Sequence, residues 1–232
     1  NQSIYERLQE HLDGLPVGFP KTESGIEMAI LRKIFDPEEA EMAAKVLVVP
    51  ETVEAFSQRV GMENQKAEEW LERMADKGQI FRMKKDGNTR YNAVPFVPGI
   101  WEYQLGKVDH ELAEMMEKFF EQALGKVLSA GNIPLFRVLP VEENIPVGME
   151  IMHYQKVKDL IRSQSIIALA DCICRKEKRL TGHKCDHIDD VCLVFSHGAR
   201  YYVEKGIARF ISTDEAIEVL DRSEKDGLVH SP

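Results

Sequence analysis

The sequence predicts an α+β protein, with a winged-helix domain in its N-terminal part and a small α/β domain that bears all four cysteines. Two patterns predict this class. A helix–turn–helix followed by a hairpin lies within residues 52–94, and an apolar, β-branched run leads into the first cysteine;. We therefore expect a helical and winged-helix domain at 1–100, a helical and extended connector at 101–150, and a cysteine-rich α/β domain at 151–232.

The first part of the chain has helical patterns. Apolar residues recur at helical spacing in three segments, Ser3–Leu12, Ile26–Ile34 and Pro37–Lys45;. A proline followed by two glutamates suits the first turn of the third segment. The Gly/Pro-rich stretch DGLPVGFPKTESG separates the first two helices, and VLVVPET predicts a short extended piece.

The winged-helix prediction rests on the segment that follows. Thr52–Val60 predicts a helix, Gly61 a turn, and Glu63–Lys77 a second helix that stops at Gly78;. After this stop, QIFRMKK and TRYNAV alternate in polarity on either side of an Asp-Gly turn, which is a strong hairpin signal.

The remaining elements are less regular. A helix is expected over residues Asp109–Ser129, and IPLFRVLPVEENIP is expected to be extended. A further helix is expected at His153–Ile161, and SIIALADCIC suits a buried strand. Helices are also predicted at Gly198–Lys205 and Thr213–Asp226, the latter starting with a capping pattern.

The charge and the hydropathy of the sequence limit the functions to be considered. The net charge is −9, and no segment forms a broad cationic surface, which weighs against non-specific nucleic-acid binding;. No apolar run approaches the roughly 18–20 residues that a membrane span needs, and the first residues are too charged for a signal peptide. We therefore expect a cytoplasmic protein without a membrane segment, a setting in which disulfides are disfavoured.

The cysteines are candidate metal ligands, and they stand close together in the sequence: Cys172, Cys174, Cys185 and Cys192. Structural zinc is usually bound by cysteine pairs with roughly two to four intervening residues, because a tight turn lets both sulfurs reach one ion. If Cys172 and Cys174 end a strand, their side chains leave one face about 6.6 Å apart. This distance favours a [4Fe–4S] cluster, in which each cysteine binds a different iron.

The charge between the cysteines supports the same interpretation. Residues 172–185 hold five bases and one acid, a local +4 in a chain of −9. An anionic cluster is stabilised by nearby cations, so Arg175, Lys176 and Lys178 are expected to lie around it. Two alternatives stay open: a zinc site that also uses His183, His187 or His197, and structural or redox-active thiols without metal. The basic run can also be an ordinary solvated face.

The segments DCICRKEKRLTGHKCDHIDDVCLVF and GARYYVEKGIARFISTDEAIEVLDRSEKDGLVH resemble a module of multidomain 4Fe–4S ferredoxin-type proteins of anaerobic bacteria and archaea. Upstream, GIEMAILRKIF, PETVEAFSQRVGM and KGQIFRMKKDGNTRYNAVPFVPGIWEYQ resemble the winged-helix-like front end of that family. The resemblance implies that all four cysteines bind the cluster. Members of the family typically continue past GLVH into further cysteine-rich ferredoxin repeats, whereas this sequence stops at GLVHSP, so we expect a fragment or a shortened member of the family. The resemblance has two departures: CDHIDDVC lacks an expected proline, and Ser196 stands in place of an expected glycine.

The function expected from these patterns is electron transfer, in a ferredoxin-type carrier or a module of a redox complex. No phosphate-binding loop, nucleophile elbow or H-E-x-x-H motif indicates a self-contained enzyme. The expected partners are a redox protein or the chain's own downstream ferredoxin domain, with a homodimer formed through the winged helix as a further possibility. A structural zinc scaffold is one alternative function.

A redox- or metal-responsive DNA-binding regulator is the other alternative. In it, Asn64, Gln65 and Lys66 would face bases, and the hairpin would offer four cations to phosphate: Arg82, Lys84, Lys85 and Arg90;. The second helix carries five acids and three bases, so phosphate would repel it, and DNA is the less favoured partner.

Overall fold

The computed structural model describes residues 3–85, 87–130, 157–183 and 185–229. Within these ranges the chain combines helices with small antiparallel sheets, as the predicted mixed α and β class requires. The chain divides into two compact units. The first is Asn1–Gly131 together with Glu177–His183, and the second is Asn132–Lys176 together with Lys184–Pro232.

The first unit is mainly helical. Its elements are α1 (Ile4–Asp13), α2 (Ile26–Ile34), α3 (Pro37–Ala43), α4 (Val53–Val60), α5 (Asn64–Lys77), β1 (Phe81–Lys85), β2 (Asn88–Asn92), α6 (His110–Phe119) and α7 (Gly125–Ala130). A turn of π-helix at Phe120–Leu124 separates α6 from α7, where the sequence predicts one continuous helix. The start of α1 is fixed by a capping box between Ser3 and Glu6;.

The core of the first unit includes three phenylalanines from distant parts of the chain. The ring of Phe19 lies 4.4 Å from that of Phe96 and 4.7 Å from that of Phe119, between centroids, and all three are fully buried. Phe19 belongs to the Gly/Pro-rich stretch, whose backbone is held by a 2.6 Å hydrogen bond from Gln9 Nε2 to the Phe19 carbonyl. This irregular segment is therefore part of the core.

The segment from α4 to β2 has the local structure that the sequence predicts. Thr52 caps α4 by accepting a hydrogen bond from the Ala55 N–H at 3.3 Å;. Gly61 and Gly78 end α4 and α5 in the left-handed conformation, with φ of 69° and 74°;. The strands β1 and β2 pair antiparallel, from Phe81 opposite Asn92 to Lys85 opposite Asn88.

Charged side chains connect α5 to the hairpin. Arg82, which is 8% exposed, donates to the carboxylates of Glu72 and Asp76, the latter at 3.0 Å. The buried Tyr91 hydroxyl also donates to Glu72. Burial raises the pKa of Tyr91, and the hydrogen bond to Glu72 raises it further. One face of the hairpin is therefore turned toward α5 and carries paired charges.

A second network connects α5 to α3 through a buried carboxylate. Glu39 is 1% exposed, forms an ion pair with Lys77 at 2.6 Å, and accepts hydrogen bonds from Gln79 and the Asp36 N–H at 2.7 and 3.1 Å. Burial by itself raises the pKa of Glu39, but these three partners outweigh burial, and the net pKa is lowered;. The side chain is therefore held in its charged form.

The C-terminal part of the chain alternates helices and strands. Its described elements are α8 (Val157–Arg162), β3 (Ile167–Asp171), α9 (Ile173–Leu180), β4 (Asp190–Phe195), α10 (Ser196–Glu204), β5 (Ala208–Ile211) and α11 (Thr213–Lys225). The strands form an antiparallel sheet in the order β4-β3-β5. Its buried residues pack with α8 and α11 in one cluster: Val157, Ile161, Ile167, Ala216 and Leu220.

Several predictions for this part can be compared with the structure. The predicted buried strand is confirmed as β3, whose first four residues are buried. The helix predicted at 198–205 begins two residues earlier, at Ser196, which has a φ of 57°. The extended segment predicted for IPLFRVLPVEENIP and the first residues of the helix predicted at His153–Ile161 lie outside the described residues.

Candidate metal centre

The three-stranded sheet places Cys192 beside the end of β3. Cys192 lies opposite Ala170 in the ladder between β3 and β4. After this pair the register shifts, so that Asp171 lies opposite Asp190 and β4 contains one extra residue;. Because Cys172 follows Ala170 by two positions, its side chain is a diagonal neighbour of Cys192.

Cys172 is the residue at which the chain leaves this ladder and enters α9. Its N–H donates to the Asp189 carbonyl at 2.9 Å, and its carbonyl accepts the N–H of Lys176 at 3.1 Å. Cys174 lies in the first turn of the helix. The expectation that Cys172 and Cys174 both end a strand is therefore wrong, and the argument against zinc from their spacing along a strand is wrong with it.

The strand ends before Cys172 for two reasons, one in the local sequence and one in the pairing with β4. The run ICRKEKRL consists mostly of residues with good helix propensity, which favours a helix once the strand has stopped;. Where the strand stops is decided by the register shift between Ala170 and Asp171, which depends on a partner strand about twenty residues away;.

Three of the four cysteine sulfurs lie together. The thiols of Cys174 and Cys192 donate hydrogen bonds to the Cys172 sulfur and lower the pKa of Cys172 to about 2, while burial opposes them. The backbone N–H and the charge of Arg175 act in the same direction as the two thiols. These contacts favour the thiolate form of Cys172, which is the form of cysteine that binds metals;.

Cys185 lies between α9 and β4 and is half-buried. It forms no hydrogen bond with the other three sulfurs in the part of the chain that the structure describes, and all four cysteines are free of disulfides. Within the same described ranges, no group of three or more Cys, His, Asp or Glu side chains is arranged to hold a metal ion. The structure thus brings together Cys172, Cys174 and Cys192 but does not bring Cys185 to them.

The connection that carries Cys185 is held by a residue that the sequence patterns did not single out. Asp226 Oδ2 accepts the N–H of Ile188 at 2.9 Å and lies 2.9 Å from Nδ1 of His187. The N–H of Ile188, and then His187, lower the pKa of Asp226. Because 39 residues separate His187 from Asp226, no spacing rule predicts this contact. His187, one of the three histidines considered as zinc ligands, therefore pairs with Asp226.

The three cations predicted around the cysteines have different surroundings. Arg175 is half-buried, its backbone N–H donates to the Cys172 sulfur, and its Nη1 is buried without a hydrogen-bond partner among the described residues. The N–H of Lys176 bonds the Cys172 carbonyl. Lys178 Nζ instead lies 2.5 Å from both carboxylate oxygens of Glu117. Of the three, Arg175 is the one that this geometry directs toward sulfur.

The comparisons with known proteins add no relative. No family model, no curated protein and no solved structure matches this chain. Among the helices of the described residues, none has both the length and the apolar character needed to cross a membrane.

Proposed function

We propose that Cys172, Cys174, Cys185 and Cys192 bind a [4Fe–4S] cluster, and that the chain is an electron-transfer protein or the electron-carrying module of a redox complex. The observation that carries this proposal is the position of three cysteines at one end of the three-stranded sheet: Cys172 and Cys174 lie where the chain passes from β3 into α9, and Cys192 lies opposite Ala170 on β4. Cysteine thiolates are the usual ligands of such clusters. When bound, the cluster supplies one-electron transfer.

The residues around the sulfurs fit an anionic cofactor. Arg175 contributes a backbone N–H to Cys172 and a guanidinium with hydrogen-bonding capacity to spare among the described residues. Backbone donors and cations near thiolates stabilise a cluster and raise its reduction potential. Four sulfurs around a cluster are farther apart than four around a single ion. A separate position for Cys185 is therefore compatible with this proposal. Reduced thiols, and hence a cytoplasmic setting, are part of it.

A structural zinc site is the second candidate. The observation that favours it is the position of Cys172 immediately before α9 and of Cys174 in its first turn, where a tight backbone path takes the place of an extended one. Two cysteines in a turn and a third from a neighbouring strand are a common zinc-binding arrangement, with a fourth ligand completing the tetrahedron. The chain would then be an interaction scaffold with no redox role.

We also propose that α4, α5 and the hairpin form a winged helix that docks a protein and not DNA. Asn64 accepts a hydrogen bond from Ser57, so a residue expected to face bases is used between two helices of the fold. Arg82, expected at phosphate, is buried in ion pairs with α5. The exposed surface of α5 includes the acidic side chains of Glu68 and Glu69, and Glu63 lies exposed just before the helix. A redox partner, a downstream ferredoxin domain and a second copy of the chain are the candidate partners.

The metal content of the purified protein tests the proposal. The full chain is purified without oxygen, iron, acid-labile sulfide and zinc are measured, and the dithionite-reduced sample is examined by electron paramagnetic resonance. We expect about four irons and four sulfides per chain and the signal of a reduced cluster. One zinc per chain without iron or sulfide would replace this proposal by the zinc scaffold. A protein that stays free of metal after anaerobic reconstitution with iron and sulfide would contradict both.

A further inference from the structure

The outer face of the hairpin carries a shallow pocket that the proposed function does not use. The pocket has a volume of about 260 Å³ and is lined by Met83, Lys85, Asn88 and Arg90. In the ladder, Met83 lies opposite Arg90 and Lys85 lies opposite Asn88, so the four side chains leave the same face of the two strands;. Because Arg82 and Tyr91 leave the other face toward α5, the pocket is turned away from that helix.

The pocket carries two exposed cations. Lys85 and Arg90 are exposed and form no ion pair with any described residue, and Arg90 Nη1 makes a 3.4 Å hydrogen bond to the Pro50 carbonyl. Several other cations in this unit have carboxylate partners: Lys21, Lys33, Lys45, Arg59, Arg73, Lys77 and Arg82. In a chain of net charge −9, two exposed cations at one pocket form a local positive surface.

An exposed apolar segment runs beside this pocket. Leu47, Val48 and Val49 are 42%, 49% and 64% exposed. The Leu47 carbonyl accepts the N–H of Ala93 at 2.7 Å, and Glu51 pairs with Tyr91. Residues 47–51 therefore lie along β2, and Pro50 brings them to Arg90. Three consecutive exposed aliphatic side chains beside two exposed cations indicate a protein-binding surface;.

We propose that this surface, formed by residues 47–50 and the pocket side chains, binds an acidic protein segment in which carboxylates alternate with apolar side chains. The Arg90 guanidinium fits a carboxylate in two-point contact, Lys85 adds a point charge, and Asn88 adds an amide donor. Val48 and Val49 bury the apolar side chains of the segment. Nucleic acid fits less well, because the valines offer nothing to phosphate and the nearby α5 is acidic. The site lies in the first unit and does not depend on which metal the cysteines bind.

Fluorescence anisotropy with labelled peptides tests this assignment on the full chain. The probe is a fluorescein-labelled peptide of alternating glutamate and leucine. Peptides of glutamate with serine and of lysine with leucine test the apolar and the acidic requirement separately, and a labelled DNA duplex tests nucleic acid. We expect binding of the glutamate–leucine peptide that weakens about tenfold in Arg90→Glu and in Lys85→Glu, and that also weakens in Val49→Ser.

The matched control is Lys66→Glu, which makes the same charge change at an exposed position of α5 outside the pocket. It is expected to leave peptide binding within about twofold of the unchanged protein. Equal losses of peptide affinity in Lys66→Glu and Lys85→Glu would show that only the net charge of the protein matters, and would overturn the assignment. A duplex that binds more tightly than the peptide, and is lost in Arg90→Glu, would overturn it in favour of nucleic acid. Circular dichroism melts confirm that each variant is folded.

Discussion

The cations around α5 and those at the start of α9 differ in where their partners are. At α5, Arg82 meets two carboxylates, and Lys77 meets the buried Glu39. At α9, Arg175 is directed toward the Cys172 thiolate and keeps a buried Nη1 without a partner among the described residues. Each arginine keeps one buried nitrogen without a hydrogen-bond partner among the described residues, Nε of Arg82 and Nη1 of Arg175. The two arrangements therefore differ in the charged partner, which is a carboxylate at α5 and a cysteine sulfur at α9.

This difference teaches that a count of charges does not locate a site. The segments 63–77 and 172–185 are both rich in charged residues in the sequence. The two segments can be told apart only when the partner of each charged side chain is known. A side chain that forms an ion pair within the protein is less able to bind a ligand or a partner protein. The predictions below test this difference, from the largest expected effect to the smallest.

Removal of a cysteine should have the largest effect, because it removes a proposed ligand outright. In Cys172→Ser and in Cys192→Ser, we expect iron and sulfide to fall close to zero in the anaerobically purified protein, measured by colorimetric analysis. His183→Asn and His187→Asn serve as controls and should keep their iron. If either histidine variant also lost its metal, the site would use both cysteine and histidine ligands, and the proposal of four cysteine ligands would be wrong.

Gly78→Ala should destabilise the α5 region without changing any charge. Its φ of 74° disfavours a side chain, and a Cβ there would lie 2.7 Å from Cβ of Tyr103. Gly61→Ala is the matched control, since its φ is 69° and nothing lies within 4 Å of its Cβ. We expect about 1 kcal/mol from the left-handed conformation alone at Gly61 and clearly more at Gly78, measured by urea unfolding. Equal losses would mean that the contact with Tyr103 is easily relieved.

Glu39→Gln should test the completed ion-pair network. Removing the buried charge leaves Lys77 without its principal partner, and we expect a loss of about 2 kcal/mol in unfolding free energy at neutral pH. Glu68→Gln, at an exposed position on α5, is the control and should change stability little.

The same pair of variants gives a pH dependence. The pKa of Glu39 is lowered in the folded state, so its contribution is complete above the pKa of about 4.3 of an unfolded glutamate;. It is lost as the pH falls through the lower, folded pKa. Urea unfolding at a series of acidic pH values should therefore show a shallower decline for Glu39→Gln than for the unchanged protein. Parallel curves would show that Glu39 does not titrate differently on folding.

Replacing a single cation of α9 should have the smallest effect, a shift in the reduction potential of the loaded protein. The shift should differ clearly between Arg175 and Lys178. Arg175→Met removes a positive charge beside the thiolate, so we expect a lower reduction potential in a redox titration of the loaded protein. In Lys178→Met the potential should move less, because the charge removed is already paired with Glu117. A larger shift in Lys178→Met would reverse the assignment of the cation that acts on the sulfurs.

Local signals explain what the sequence predicted correctly. The helix at Ile26–Ile34 is confirmed with the predicted bounds, and the Asp-Gly hairpin and both glycine stops are where their patterns place them. These features depend on caps, turns and periodicity within a few residues. The closeness of the cysteines in the sequence predicted that they lie together in the structure. This holds for Cys172, Cys174 and Cys192, but not for Cys185, which the same closeness included.

The rest depended on distant partners. The start of α9 was missed because the end of β3 is set by its register with β4, and β4 and β5 are too short to show a clear pattern of their own;. The anchoring of His187 by Asp226 and the burial of Arg82 between two acids depend on tertiary packing. The sequence shows that such side chains are charged, but not which residues they contact.

The pairing of Ala170 with Cys192 has a consequence for the timing of maturation. Along the chain, Cys172 and Cys174 are neighbours from synthesis onward, but Cys192 joins them only when β4 docks in its final register. A slip of one residue would turn Cys192 to the opposite side of the sheet. If the proposed cluster is bound, a chain in which β4 has not yet paired with β3 would offer only two of these three cysteines, and the cofactor would meet all three together only after the sheet has closed.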